Sequence, residues 1–326
     1  MKIYIIGINS FIGSSLASYL VKNKLKKNIY GCSRQKLNSK ILEKFKNNII
    51  FHKFDLNHDV KKLITKLEII KPHTIINFAA QSIVEESWRF PKDWFNTNLI
   101  SNIELLEYLK NTKYLKKYIY SSTPEVYGST KKKISENFNY FPNTPYATSK
   151  AAIDMLLKNY YDQYNFPVIW TRIANIYGPG QQTFKIIPKS ILSIKKKVKI
   201  PLHGGGVSKR CFIYSDDVSQ ALFKIHKKGK IGNIYHISND NQITIKQLVK
   251  TISRLMMKNF NEVSKISKKD RPGKDLVYYM SSRKLKSSLR WKAKFNLQDG
   301  IKQTINWIDK NYYYLNKSKL KYEHKK

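Results

Sequence analysis

Residues 2–13 read Lys2-Ile3-Tyr4-Ile5-Ile6-Gly7-Ile8-Asn9-Ser10-Phe11-Ile12-Gly13. A short apolar run of strand length enters a turn marked by two glycines, and an amphipathic stretch from Ser14 to Lys22 follows. Strand, tight turn and helix in that order build a crevice for a dinucleotide. Gly7 permits the sharp turn and the close approach of backbone to a diphosphate. Gly13 lets the helix pack on the strand, and the free N–H groups of the first helical turn face the anion. Gly7, Ser10, Phe11, Ile12 and Gly13 are therefore candidate cofactor contacts. The middle glycine of the usual fingerprint is replaced by Ser10, which puts a Cβ and a hydroxyl where the backbone should come nearest the ligand.

Working outward, strand patterns recur at residues 2–6, 28–33, 49–55, 74–79, 117–122 and 168–173. Helical patterns lie between them, notably over 91–110 and 146–164. Such alternation with short connections predicts right-handed crossovers and an α/β fold built on a Rossmann-type doubly wound parallel sheet. Beyond Gly178 the regularity falls, and Gly204-Gly205-Gly206 and Pro272-Gly273 punctuate the chain. The expected division is a dinucleotide-binding domain over 1–177, a smaller C-terminal substrate-binding lobe over 178–315, and a basic tail over 316–326 that should fray for want of apolar material.

On the helix predicted from residue 146, Tyr146 and Lys150 lie one turn apart, with Thr123-Pro124-Glu125 upstream. Positions i and i+4 share a face with Cβ atoms roughly 6 Å apart, so the Lys150 ammonium is expected to act on the Tyr146 phenol. Bringing a phenol from about 10 toward 7 needs about 4 kcal/mol of preferential stabilisation of the phenolate. An ammonium and an oxidised nicotinamide together are of the right kind to provide it.

Composition narrows the remaining classes. The 326 residues carry a formal charge of +39, with 61 Lys and Arg against 22 Asp and Glu. The lysines are spread over predicted solvent faces (Lys22, Lys24, Lys26 and Lys27, Lys131 to Lys133, Lys195 to Lys197) rather than gathered with aromatics into one groove. That distribution reads as a solvated surface, not a nucleic-acid footprint, though its field would assist capture of a diphosphate. No apolar run approaches the roughly 18 residues that cross a bilayer, and Gly7 and Asn9 break the first apolar stretch. A cytoplasmic protein without membrane or nucleic-acid partners is expected. Cys32 and Cys211 form neither a disulfide framework nor a metal cluster, and no metal is expected.

Together with Asn77-Phe78-Ala79-Ala80-Gln81-Ser82, Ser122-Thr123-Pro124-Glu125-Val126-Tyr127-Gly128, Asn175-Ile176-Tyr177-Gly178-Pro179 and Asp270-Arg271-Pro272-Gly273-Lys274-Asp275, these motifs resemble the extended short-chain dehydrogenase/reductases acting on sugar nucleotides. The likeness runs from Met1 to about residue 310 and is greatest to the dTDP-glucose 4,6-dehydratases. It implies a nucleoside-diphosphate hexose as substrate and a homodimer. Thr123, Glu125, Tyr146 and Lys150 would be catalytic, with Asp55, Leu56, Ala79, Ala80, Gln81 and Asn98 near the cofactor. Ser82, Asn175, Lys185, Ile186, Arg210, Asn241 and Arg271 would contact substrate. In the implied reaction Tyr146 takes the C4 hydroxyl proton as hydride leaves, Thr123 bonds the C4 oxygen, and Glu125 removes the C5 proton so that the C6 hydroxyl departs. Hydride return to C6 gives a 4-keto-6-deoxy sugar.

Two departures matter. Where the thymidine-linked enzymes carry an aspartic acid between Thr and Glu, this chain has Pro124, so the acid for the leaving hydroxyl is open. The GDP-mannose dehydratases have serine there, and Glu125 would serve as base and then as acid. The second strand ends Gly31-Cys32-Ser33-Arg34, with no carboxylate for ribose hydroxyls and two residues suited to a 2′-phosphate, which favours NADP over NAD. A 4-epimerase needs Tyr146 and Lys150 but not Glu125, and stands as the alternative. A related decarboxylase would need a cation for a sugar carboxylate, and a non-catalytic binding role rests on charge alone.

Overall fold

The structure is a computed structural model that describes residues 2–23, 28–37, 39–130, 132–267 and 277–324. Seven strands form the main sheet: β1 (Ile3–Ile6), β2 (Ile29–Ser33), β3 (Ile49–Lys53), β4 (Thr74–Asn77), β5 (Lys117–Ser122), β6 (Val168–Ile173) and, after three strands of a second lobe, β10 (Ile234–Ile237). Their order across the sheet is β10-β6-β5-β4-β1-β2-β3, and every pairing is parallel.

A parallel sheet covered on both faces needs apolar residues on both faces of each strand. In β1, Ile3 and Ile5 enter one core while Tyr4 and Ile6 enter the other. β6 divides likewise, Ile169 and Ile173 against Val168 and Trp170. Side chains alternating with a period of two thus feed two helix layers. Helices Phe11–Lys22 and Ser215–Lys228 lie on the first face, and Val60–Ile70, Ser101–Leu109 and Pro145–Tyr164 on the second.

Strand order reverses between β1 and β4, since chain progress runs outward to β3 on one side and to β6 on the other. In open sheets of this kind a crevice forms beyond the carboxyl ends of the strands at that reversal. Both the Gly7 turn and the Phe78–Ser82 segment leave the sheet there.

The second lobe contains β7 (Asn175–Tyr177), β8 (Ile200–His203), β9 (Lys209–Tyr214), β11 (Gln242–Thr244) and β12 (Ser264–Ser267). Strands β11, β9 and β7 make one small sheet and β12 with β8 another. Helices Ile186–Lys195, Ile245–Leu255 and Leu297–Lys310 enclose a third core around Ile191, Phe212, Leu248 and Ile301.

Two local expectations change. The stretch 91–110 is not one helix: Pro91–Phe95 and Ser101–Leu109 are separated by a π turn over Asn96–Ile100. That wider turn carries the buried Asn98 toward the crevice. Residues 316–324 do not fray: Leu320 packs against the third core, and Lys196 Nζ binds the carbonyls of Asn316 and Ser318. Few apolar residues suffice because backbone carbonyls and aromatic rings make the contacts. The Asp270–Asp275 motif, with Lys24, Lys26, Lys27, Lys131 and the substrate candidate Arg271, falls outside the described residues.

Candidate active site

Three joined crevices open beyond the carboxyl ends of the central strands. One, of about 520 Å³, is lined by Gly7, Ser10, Ser33, Arg34, Asp55, Leu56, Ala79, Ala80 and Gln81. It shares Ser10, Phe78, Ala80 and Gln182 with a second, of about 280 Å³, that holds Phe11, Ile12, Ser82, Thr123, Glu125, Tyr146, Lys150, Asn175, Lys185 and Ile186. Asn175, Ile186 and Phe212 connect that space to a third, of about 210 Å³, which contains Arg210. Most sequence-predicted cofactor and substrate residues thus meet on one continuous surface, while Gly13 and Asn98 are buried and line none of the three crevices. Asn241 does not join them. It lines a separate polar groove across Phe212, with Lys250, Arg254 and Lys286.

The floor of the first crevice fits a dinucleotide. Gly7 has φ +82°, and a Cβ there would sit 2.8 Å from the Ala79 nitrogen. On Gly13 a Cβ would lie 2.4 Å from the Gly7 carbonyl oxygen, so helix and turn approach as only glycines allow. Ser10 solves its own problem: its hydroxyl accepts from the Gly13 N–H at 3.0 Å and caps the helix, folding back onto its first turn. At the end of β2 the Ser33 hydroxyl accepts from the Asn9 N–H at 3.3 Å, while Arg34 is exposed at the crevice rim.

Opposite this floor, Thr144 caps the helix Pro145–Tyr164 by accepting from the Ala147 N–H at 3.0 Å, with Pro145 at the first position, where a missing N–H costs nothing. The cap sets Tyr146 and Lys150 one turn inside a buried helix start. Thr123 begins a 3-10 turn over Pro124–Tyr127 and accepts from the Glu125 N–H at 3.3 Å. Its hydroxyl also bonds the Tyr146 phenol. Pro124 occupies the first position of that turn, for which its fixed φ is suited. Asn98 holds two elements together: its amide accepts from the Gln81 N–H (2.8 Å) and donates to the Gln81 carbonyl (3.0 Å) and the Ser149 hydroxyl (2.9 Å).

Lys150 and Tyr146, expected to interact electrostatically across one turn, share no direct hydrogen bond. Lys150 Nζ donates instead to the Tyr120 hydroxyl and the Ser121 carbonyl. Burial lowers its ammonium to about 8, opposed by Asp154. Tyr146 is pushed up, first by burial and next by the Glu125 charge, with the Thr123 bond pulling down. The physical reason is desolvation, which disfavours the phenolate more than the groups around it compensate. Burial likewise lowers Lys185, and the Glu125 charge opposes the shift.

Sequence reasoning passed over Tyr120 and Tyr278. Tyr278 lines the same cavity, donates from its hydroxyl to Asn175 Oδ1 at 2.9 Å, and has Arg210 over its ring at 4.4 Å. Its position three residues beyond Asp275 was the only available signal.

A glycine-floored crevice at the reversal of a parallel sheet, faced by a Tyr and Lys one helical turn apart, defines a nucleotide-dependent oxidoreductase-type site of the extended short-chain class. The profile of the family described as GDP-mannose 4,6 dehydratase matches residues 4–304, and the chain belongs to that family. It is 36% identical over 276 residues to a human dTDP-D-glucose 4,6-dehydratase, covering 82% of this chain and 77% of that protein. Among solved structures, the dTDP-glucose 4,6-dehydratase DesIV of Streptomyces venezuelae, with NAD bound, superposes with a TM-score of 0.89 at 26% identity, over 96% of this chain and 98% of that one. A UDP-glucose 4-epimerase of Thermotoga maritima, with UDP-glucose, gives 0.86 at 26% identity over 96% and 100%.

Proposed function

We propose that this protein removes water from a nucleoside-diphosphate hexose, forming a 4-keto-6-deoxy sugar nucleotide, with dTDP-glucose the first substrate to try. One observation carries the reading: Glu125 is the one carboxylate among the described residues that line the cavity holding Thr123, Tyr146 and Lys150. Oxidation at C4 followed by hydride return needs only the phenol, the lysine and the cofactor, whereas elimination across C5 and C6 also needs a base.

A bound oxidised nicotinamide supplies the hydride acceptor, and a positive charge that favours the phenolate. Tyr146 accepts the C4 hydroxyl proton, and Thr123 bonds the same oxygen. Lys150, held by Tyr120 and Ser121, keeps its charge near the cofactor ribose. Glu125 takes the C5 proton, and because Pro124 offers no acid, the same carboxyl returns a proton to the departing C6 oxygen. Lys185, Asn175 and Arg210 bind the diphosphate arm, where cations and an amide suit phosphate oxygens.

For the cofactor, no carboxylate stands at the end of β2 to repel a 2′-phosphate, and Arg34 favours it. NADP is accepted alongside the NAD seen in solved relatives. Exposed Ile100, Met155 and Tyr164 on the helices bracketing the site support a homodimer.

Incubation with a panel of nucleotide hexoses, read by mass spectrometry, tests the reading. Loss of one water from one of them is the expected result. Unchanged mass with inverted C4 would establish the epimerase instead, a reading that Pro124 favours.

A further inference from the structure

The segment after helix Tyr312–Leu315 runs across the mouth of the dinucleotide crevice and is tied down on both sides. On the second-lobe side the Thr183 hydroxyl donates to the Lys319 carbonyl at 2.8 Å, and Tyr322 meets Phe184 edge-on with centroids 5.3 Å apart. On the side of the main sheet His324 is held in an aromatic slot, its ring stacked on Phe90 at 4.7 Å and tilted against Trp94 at 5.2 Å. There its Nε2 meets Asp93 Oδ2 at 2.7 Å, and the His324 side chain is only 6% exposed. Between these anchors, Lys321, Tyr322 and Glu323 line the same cavity as Ser33, Arg34 and Asp55.

We infer that residues 316–324 form a latch over the adenosine end of the dinucleotide, which must lift off Phe90, Asp93 and Trp94 before the cofactor can leave. The inference rests on the proposed reading of the crevice as a dinucleotide site. The latch closes the space without filling it, because about 520 Å³ remains behind it. It joins the two lobes through contacts more than 130 residues apart in sequence (Thr183 with Lys319, Asp93 with His324), so opening it breaks two anchors together. Tight retention suits the chemistry: a hydride taken in the first step and given back in the last leaves the cofactor unchanged, so turnover requires no exchange. Affinity of this kind resides in the dissociation rate, which a closed wall slows.

The test loads the full-length protein with NAD, adds an excess of fluorescent etheno-NAD, and follows exchange. In His324→Ala, and in a second variant Tyr322→Ala, exchange should be about tenfold faster than in the parent protein, with far-ultraviolet circular dichroism retained. The NAD content of the purified variants should fall in parallel. Exchange at the parental rate in both variants, with NAD still bound, overturns the latch and leaves the reading of the crevice intact. A parent protein that takes up neither NAD nor NADP overturns both.

Discussion

Lys150 is bonded to Tyr120, not to Tyr146: its ammonium sits 2.5 Å from the Tyr120 hydroxyl and 4.1 Å from that ring's centroid. Tyr120 is 1% exposed, and burial raises its phenol well above its ordinary value, so it stays a neutral donor and acceptor beside the charge. Removing that hydroxyl takes away one of two partners of a buried cation. Tyr120→Phe should lower kcat/KM by roughly tenfold or more, the value of a bond to a charged group being about 1.5–3 kcal/mol. Steady-state rates across pH 6–9 check it, since a freer ammonium changes the profile whereas a purely structural defect lowers the whole curve.

Glu125→Gln removes the proposed base but leaves Tyr146, Lys150 and Thr123 in place. Net dehydration should cease, while substrate still reduces the bound cofactor, visible as reduced-nicotinamide absorbance, because in the proposed sequence oxidation at C4 comes first and acidifies the C5 proton. Full turnover in this variant excludes the assignment.

Asp154 and Arg172 form an ion pair at 3.0 Å with both side chains 0% exposed, and Ser122 donates to the same carboxylate oxygen at 2.6 Å. Taking one partner away strands a buried charge, so Asp154→Ala should destabilise the fold by about 3–5 kcal/mol. Chemical denaturation measures this, and a loss below about 1 kcal/mol would contradict it.

His236 is enclosed, its Nε2 paired with the Tyr127 hydroxyl at 2.7 Å and its Nδ1 with the Ser281 carbonyl at 3.1 Å. Burial, then the nearby Arg172 charge, lowers it to about 3. The unfolded chain binds this proton from about pH 6.5 downward and the folded one does not. Stability is therefore full above that pH and falls as acid is added, by about 2 kcal/mol at pH 5 from this group. Burial lowers His226 to about 4, which adds in the same direction, while the raised carboxyls of Asp154, Asp217 and Glu136 oppose it. Melting temperatures at pH 7 and pH 5 should differ less in His236→Gln than in the parent protein.

Gly13→Ala places a methyl 2.4 Å from the Gly7 carbonyl oxygen, which is backbone and cannot swing aside. Dinucleotide affinity should drop by tenfold or more, roughly 1.4 kcal/mol, with a smaller change in melting temperature, as calorimetry of each would show.

Local pattern carried much of the architecture. The strands β2, β5 and β6 lie within a residue of their expected bounds, because apolar runs between turn residues are local signals, and the helix expected over 146–164 runs from Pro145 to Tyr164. Gathering Gly7, Thr123, Glu125, Tyr146 and Lys150 at one crevice followed from strand order once the sheet was parallel. What the sequence withheld depends on distant contacts. Tyr120 as a partner of Lys150, Tyr278 on Asn175 and His324 on Asp93 join residues 30, 103 and 231 positions apart, and nothing near any of them in the chain marks the pairing. The π turn at Asn98 escaped for another reason: its residues suit an ordinary helix, and tertiary bonds to Gln81 and Ser149 select the wider winding.

Pro124 has a stereochemical consequence. In the proposed reaction Pro124 leaves hydrogen and hydroxide both to Glu125, the one carboxylate among the described residues lining that cavity. A single group of that size reaches only one side of a hexose. On the proposed reaction the two groups therefore depart suprafacially, in a syn elimination, and a substrate labelled stereospecifically with deuterium and tritium at C6, with protium at C4, should yield a product methyl group of a single chirality.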